Sequence, residues 1–404
     1  MTGKGISVAA ASPAAILIFW QNRSTGRFCV INATSSFNCH ERLWLTAGCI
    51  YQKGIERSET IANTKPKFGD PADGSIQLQT VDVIVVGGGP AGSAAAGRLK
   101  RAGADVLVLD KETFPRLKLC AGWITPEVVR DLEMDISSYP YRFLTFDRLH
   151  IHVKGLHLRV PCVQHSIRRL EFDAWLLERS TASVARYNVK HIGHENGDYL
   201  IDDAFRCKYL IGAGGTRCPV YRALFREANP RTDELQTATL EHEIEYQWQD
   251  PDCHLWFFEK GLPGYAWYVP KQNGWLNVGL GGMATRLKKH GGKDLKHHWA
   301  QFTGKLDRTL APRAQYHPEG YSYYVRGKVD TVRIGNAFIT GDAAGLATRD
   351  MCEGIGPAVR SGLRAADAIL DSGKTYQLDD VTGASLGGGL ASRVLDWAFT
   401  RGAI

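Results

Sequence analysis

The sequence predicts an α/β fold: a nucleotide-binding domain with a parallel sheet, assembled from two distant stretches of chain, with a second domain inserted between them. Three observations carry this reading. A β-branched run enters a glycine-rich turn and an Ala-rich helix near residue 90, a second strand ends in the carboxylate Asp110, and another strand, glycine-flanked carboxylate and helix follow at residues 332–370.

The composition suits such a fold. The 404 residues carry 49 basic and 42 acidic side chains, a net charge of +7, with 44% hydrophobic and 23% charged residues. This excludes a mainly disordered or fibrous chain, and the length fits two or three domains. Both signs of charge are interspersed, so the surplus gives no reason to expect nucleic acid as a partner and points at most to an anionic ligand or membrane surface. The nine cysteines include no C-x-x-C pair, which excludes the usual spacings of a zinc or thioredoxin-like site. No metal is expected, and the thiols read as mostly inert and buried, in a reducing compartment.

From the N-terminus, Val8–Trp20 is almost wholly apolar but too short to span a bilayer of about 30 Å, and Pro13 interrupts it. Residues 21–80 hold no sustained helix or strand period, and Lys65–Gly74 reads as a linker. Residues 1–80 are therefore expected to be a poorly ordered extension or a gene-model artefact, with a targeting segment as the alternative.

Val81–Val86 (VDVIVV) is the kind of run that forms a buried parallel strand. It leads into Gly87, Gly89 and Gly92 at G-x-G-x-x-G spacing, with Pro90 and Ala91 between, and then a helix over Ser93–Arg101. The first glycine permits the tight turn, the second lets backbone approach a pyrophosphate, and the third lets helix pack on strand. The strand Asp105–Leu109 ends at Asp110, placed to accept hydrogen bonds from a ribose. NAD and FAD share this pattern, and the later landmark separates them. Val332–Thr340 is strand-like and ends in Gly341-Asp342-Ala343-Ala344-Gly345, and Glu353-Gly354-Ile355-Gly356 then opens a helix running to Leu370. A carboxylate at that strand end can hold a ribityl or ribose hydroxyl, while the amides of the helix N-terminus face the negative part of a flavin.

Together these segments resemble the flavoproteins of hydroxybenzoate-hydroxylase-like fold, and within them the geranylgeranyl reductase family. The matching stretches are VDVIVVGGGPAGSAAAGRLKRAGADVLVLDK, FPRLKLCAGWITP, RRLEFDAWL, GYAWYVP with NVGLGG, and GDAAG with EGIGPAVRSGLRAA, covering about 290 residues from Val81 to Leu370 in the family's order. The resemblance implies that Gly87, Gly89, Pro90, Ala91 and Gly92 approach the FAD pyrophosphate and that Asp110, with Lys111 beside it, binds the adenosine ribose. It places Arg116 and Cys120-Ala121-Gly122 along the flavin ring, with Ala121 where the family commonly has glycine. Arg169 matches an arginine that contacts FAD from a helix start, and Gly341, Asp342, Gly354, Ile355 and Gly356 match the ribityl and flavin segment.

Tyr265, Trp267 and Pro270 match the family's Tyr-x-Trp-x-Phe-Pro signature, which lines a cavity for a prenyl chain, with Val269 in place of Phe. Flavin halogenases carry Trp-x-Trp-x-Ile-Pro there. Gly214 stands where the wider fold commonly has Asp. The expected activity is FAD-dependent reduction of isolated C=C bonds in an isoprenoid lipid, with NADPH or a reduced electron carrier as donor and Cys120 as candidate proton source. The alternatives are a monooxygenase or halogenase using oxygen, and a catalytically silent flavoprotein.

The expected domains are FAD-binding (81–145, 180–220 and 328–404) and an inserted mixed β-sheet for substrate (146–179 and 221–327), in a cytoplasmic protein with peripheral contact to the inner face of the membrane. Two weaker signals receive bland readings. Gly279–Ala284 lacks the downstream strand and acid of a second nucleotide turn, and His290, His297 and His298, in a basic stretch, read as a solvated helix face.

Overall fold

The computed structural model describes residues 7–10, 16–22, 27–33, 78–289, 294–327, 329–349, 351–379 and 381. The chain divides into two units, residues 1–63 and 64–404. In the first, β1 (Ser7–Ala10), β2 (Ile16–Asn22) and β3 (Arg27–Ala33) form an antiparallel sheet in that order. Of the apolar run, Val8–Ala10 lies in β1 and Ile16–Trp20 in β2; residues 11–15 and 34–77, the Lys65–Gly74 linker included, lie outside the described residues.

The second unit opens with β4 (Gln79–Val86), α1 (Pro90–Arg101) and β5 (Val106–Asp110). Val83, Ile84 and Val85 are at most 1% exposed, because a parallel strand covered on both faces has no polar side. Pro90 starts α1 at a position that has no amide bond to lose, and Arg98, Lys100 and Arg101 sit in its last turn, where the helix dipole favours cations. Next come β6 (Trp123–Ile124), α2 (Pro126–Asp131), β7 (Leu144–Val153), β8 (Leu156–Ser166) and α3 (Arg169–Arg179). They are followed by β9 (Ser183–Arg186), β10 (Ile192–Glu195), β11 (Asp198–Ile201) and β12 (Phe205–Gly212). The remaining elements are β13 (Gln236–Glu245), β14 (Cys253–Phe257), β15 (Gly264–Lys271), β16 (Trp275–Met283), α4 (Ala284–Lys289), α5 (Leu295–Arg308), β17 (Glu319–Tyr324), β18 (Arg333–Ile334), β19 (Ala337–Ile339) and α6 (Ile355–Leu370).

Two sheets result. The nucleotide sheet has the order β10-β11-β12-β4-β5-β9, with β19 beside β12 and β18 at the rim. Its central pairs β12–β4, β4–β5, β5–β9 and β12–β19 are parallel. The second sheet is mixed, in the order β17-β13-β16-β15-β14-β7-β8-β6, antiparallel except for β14 beside β7. Gly279–Met283 lies inside β16 as regular strand, so it forms no turn. The chain crosses between the layers more often than the expected boundaries suppose: β6 joins the second sheet, whereas α3, inside the expected substrate segment 146–179, packs on α1.

Strand alternation divides the second sheet into two faces. Thr237, Thr239 and Glu241, Asn277 and Gly279, and Tyr265 and Trp267 occupy the inner face, in register across β13, β16 and β15. The outer face carries Ala266, Tyr268, Leu276, Val278 and Leu280, covered by Trp299, Phe302 and Leu306 of α5. The solvated-face reading of the α5 histidines therefore needs correction: His297 is exposed, but His298 is 4% exposed, on the side of α5 turned to the sheet, while His290 lies outside the described residues.

Further along the outer face four histidines gather on β7, β8 and β14. His152 Nε2 lies 3.1 Å from His254 Nδ1, and His157 Nε2 lies 3.1 Å from His150 Nδ1. Asp252 and Asp250 flank the group, 2.9 Å from His150 and 3.2 Å from His254. Burial, then the neighbouring His157 and His254, push His152 down to about 4 from 6.5. A histidine with a depressed folded value stabilises the fold above pH 6.5 and loses that contribution as the pH falls toward 4. His152→Gln is therefore expected to flatten the acid side of the stability profile over that window, as read from melting temperatures measured across pH.

Candidate functional site

A cavity of about 630 Å³ runs from the β4–α1 turn to the inner face of the second sheet. Its dinucleotide end is built by backbone. Gly87 has φ +113°, and a Cβ there would lie 2.4 Å from the Ala213 carbonyl oxygen; a Cβ on Gly92 would lie 1.8 Å from the Gly87 oxygen. Both positions need glycine so that strand, turn and helix can close up. Gly87, Gly89, Pro90 and Ala91 line the cavity, while Gly92 packs behind them. No side chain caps α1, so its first amides remain available to a phosphate. Asp110 lines the wall at the end of β5, with Oδ2 accepting from the Gly88 amide at 2.7 Å. Lys111 lies at the rim and pairs with Glu112 at 3.5 Å.

The middle of the cavity is held by buried charge. Arg169 opens α3 and donates through Nε and Nη2 to both oxygens of Asp173, each at 2.7 Å, and Arg116 approaches the same carboxylate at 3.3 Å. Asp173 is fully buried, so the arginines that line the cavity are fixed by a carboxylate that never meets solvent. Cys120, Ala121 and Gly122 run along the wall, with the Cys120 thiol beside the Arg169 guanidinium. Asp342 lies in a short 3-10 turn after β19. Arg231 clamps that turn by donating to the carbonyls of Thr216, Asp342 and Ala343, and stacks on Tyr221 at 3.8 Å. Gly341, Asp342, Gly354 and Ile355 reach the cavity.

Three sequence-predicted residues lie outside the wall: Gly92, behind the turn, Gly356 and Pro270. The Gly356 amide donates to the Glu353 carboxylate at 2.5 Å, so this part of the α6 N-terminus is capped from within the chain and is not in the cavity wall. Pro270 also lies outside the wall; it points to the opposite face of β15 from Tyr265 and Trp267, and its carbonyl accepts from Ser166.

The far end of the cavity is the inner face of the second sheet. The Tyr265 hydroxyl donates to the Met351 carbonyl at 2.5 Å, and Trp267 Nε1 donates to Asn277 Oδ1 at 2.7 Å. Thr239, Glu241, Tyr321 and Tyr323 complete this wall. A second cavity of about 360 Å³ shares Thr239, Tyr265, Trp267, Tyr323 and Cys352 with the first, so the same rings line both.

Sequence motifs did not reveal Glu241, Tyr321, Tyr323, Lys271 or Arg231. The signal for the first was present in the alternation Thr237, Thr239, Glu241, Glu243. Lys271 is 1% exposed, and its ammonium donates to the carbonyls of Ala121, Gly122 and Ile167 at 2.7–3.0 Å. Burial lowers its pKa, while Glu243 acts in the opposite direction. The glycine cradle and the terminal carboxylate, lining one cavity of about 630 Å³, fit an FAD molecule. Among the described residues no group of three or more His, Cys, Asp or Glu is arranged to hold a metal ion.

A profile of the family described as FAD dependent oxidoreductase matches residues 82–308. The chain is 30% identical over 319 residues to an uncharacterized protein of Methanosarcina barkeri, covering 75% of this chain and 78% of that one. It is 29% identical to the menaquinone reductase of Mycobacterium tuberculosis (72% and 77% covered) and 26% identical to the geranylgeranyl diphosphate reductase of Rhodobacter capsulatus (74% and 78%). Among solved structures, a geranylgeranyl bacteriochlorophyll reductase-like protein of Thermoplasma acidophilum superposes with a TM-score of 0.62 at 20% identity, covering 80% of this chain and 84% of that one. The flavin-dependent brominase Bmp2 gives 0.57 at 17% identity, covering 74% and 81%.

Asp110→Ala removes the acceptor for the Gly88 amide and for a ribose. It is expected to weaken FAD binding by about tenfold or more, the worth of one charge-assisted hydrogen bond, measured as flavin retained after gel filtration and by titration of apoprotein. Arg169→Met leaves Asp173 buried with only Arg116 beside it. It is expected to cost about 3–5 kcal/mol of stability, seen as a lowered melting temperature.

Proposed function

The chain belongs to the FAD-dependent oxidoreductase family, in company with named geranylgeranyl reductases, and from that membership we propose that it reduces isolated C=C bonds of a prenyl lipid. The observation that carries the reading is the aromatic inner face of the second sheet. Tyr265, Trp267, Tyr321 and Tyr323 form one wall of a cavity whose other end is the glycine cradle. Flat rings bury a large area against flexible hydrocarbon at little entropic cost, and the shared wall of the second cavity gives a long chain further room.

FAD when bound supplies the hydride. The residues of this chain position it and exclude water. The amides of the β4–α1 turn would hold the pyrophosphate, Asp110 the adenosine ribose and Asp342 the ribityl chain, with the Cys120–Gly122 segment available to the ring. Tyr265 and Trp267 are held in place by Met351 and Asn277, so the rings that face substrate are fixed before it arrives. Exposed Leu156 (67%) and Leu158 (51%), flanked by Lys154 and Arg159 on β7–β8, suit a chain that takes its substrate at an anionic membrane surface. Among the described residues no helix is long and apolar enough to cross a membrane. The electron donor in this proposal is NADPH or a reduced carrier.

The test is anaerobic. The full-length flavin-loaded protein is reduced, and its absorbance is followed on addition of menaquinone or geranylgeranyl diphosphate. Reoxidation without oxygen, with the added dihydrogen located in the prenyl chain, is the expected result, and reduction of the quinone ring alone overturns the reading. A flavin that stays reduced until air enters would replace this reading with oxygen chemistry of the monooxygenase or halogenase kind.

A further inference from the structure

Glu241 stands in the middle of β13 on the inner face, 2% exposed, and lines the same cavity as Gly89, Asp110 and Asp342. Its register partner on β16 is Gly279, which pairs on its other side with Trp267. A Cβ on Gly279 would fall 2.1 Å from Trp267 Cζ2 and 2.8 Å from Glu241 Cβ. The missing side chain is what lets the acid and the indole sit together at the substrate end.

Glu241 Oε2 is buried and has no hydrogen-bond partner among the described residues. The contrast with Asp173 is instructive, since that equally buried carboxylate engages two arginines. Burial without a partner disfavours an ionised carboxylate far more than a neutral acid. The charges around Glu241 are committed elsewhere. Lys271 is spent on three carbonyls, Arg169 on Asp173 and Glu243 on Arg168, while Lys118 lies over the Tyr321 ring at 3.2 Å. Burial is the main cause that pushes Glu241 up to about 8, against the pull of Lys118, Lys271 and Arg169 and with the push of Glu243.

We propose that Glu241 is the proton donor of the site, a neutral carboxylic acid that passes its carboxyl proton to one carbon of the substrate double bond. The inference rests on the alkene-reduction reading above. The proton leaves Glu241 for one alkene carbon as hydride reaches the other, so one C=C π bond is lost and two C–H bonds form. The electron pair comes from reduced flavin, which is oxidised as the two carbons are reduced. The Glu241 carboxylate then takes a proton from water. Cys120, the donor candidate from sequence, instead has its thiol beside Arg169 and accepts from the Gly122 amide at 3.4 Å.

Infrared spectra of the full-length flavin protein test the protonation state directly. A carboxylic-acid carbonyl band is expected at pH 7 in the wild-type minus Glu241→Gln difference, and it should disappear as the pH passes about 8. Stability gives a second readout independent of activity. A raised folded value means that stability is full below pH 4.5 and is lost as the pH rises toward about 8, a slope that Glu241→Gln should remove.

In the anaerobic assay with menaquinone and geranylgeranyl diphosphate, Glu241→Gln is expected to slow flavin reoxidation by about 10²–10⁴-fold at unchanged flavin content. Glu241→Asp, which keeps the acid and covers the case in which Gln disturbs the fold, should recover part of the rate. Absence of the band at pH 7, or a Glu241→Gln enzyme with wild-type rate and pH profile, overturns the donor role alone. Wild-type flavin that neither probe reoxidises overturns the alkene reading and the donor role with it.

Discussion

The ammonium of Lys271 is the point on which the two halves of the molecule are hung. It leaves the end of β15, in the second sheet, and donates to the carbonyls of Ala121, Gly122 and Ile167, at the segment along the cavity wall and at the approach to α3. Three carbonyl dipoles replace water around a buried cation, which is the condition for keeping such a group in an interior. Because α3 begins two residues after Ile167, the same anchor sets where Arg169 enters the cavity, and Arg169 with Arg116 then surrounds Asp173. Loop, helix start and sheet are thus located by one side chain.

With that joint in place, a single sheet does two jobs through the period of two. Its outer face is a conventional core closed by α5, where Trp256 meets Phe302 and Leu306 is fully buried. Its inner face carries rings, hydroxyls and the acid Glu241, whose Oε2 has no partner among the described residues. The division is economical because alternate residues of one strand serve opposite purposes: Tyr265 and Trp267 face the cavity, whereas Ala266 and Tyr268 fill the outer core. Slipping the register by one residue would exchange the two sets, so the long in-register pairing of β13, β16 and β15 preserves the site as well as the fold.

Much of the nucleotide half was legible because its chemistry is local. The turn at Gly87–Gly92, the acid at Asp110 and the Gly341-Asp342 turn each depend on a few consecutive residues whose backbone geometry is set by their own types. Gly356 and Pro270 mark where local reading stops. Whether the Gly356 amide is free depends on where the Glu353 side chain lies, and whether Pro270 faces the cavity depends on strand parity. His298 is a similar case: a basic stretch reads as solvated until the sheet beneath the helix is known.

The sequence by itself determined the fold class, the flavoprotein family, and the order of the dinucleotide, flavin and aromatic segments, because glycine turns, buried parallel strands and strand-end carboxylates are written in neighbouring residues. The tertiary structure alone decided that Glu241 lies beside Trp267 with its Oε2 unpartnered among the described residues, that Lys271 is shared by three carbonyls, and that Arg231 clamps the Asp342 turn. These facts join residues about 25 to 150 positions apart, and the environment of a buried charge is the sum of whatever the folded chain brings to it.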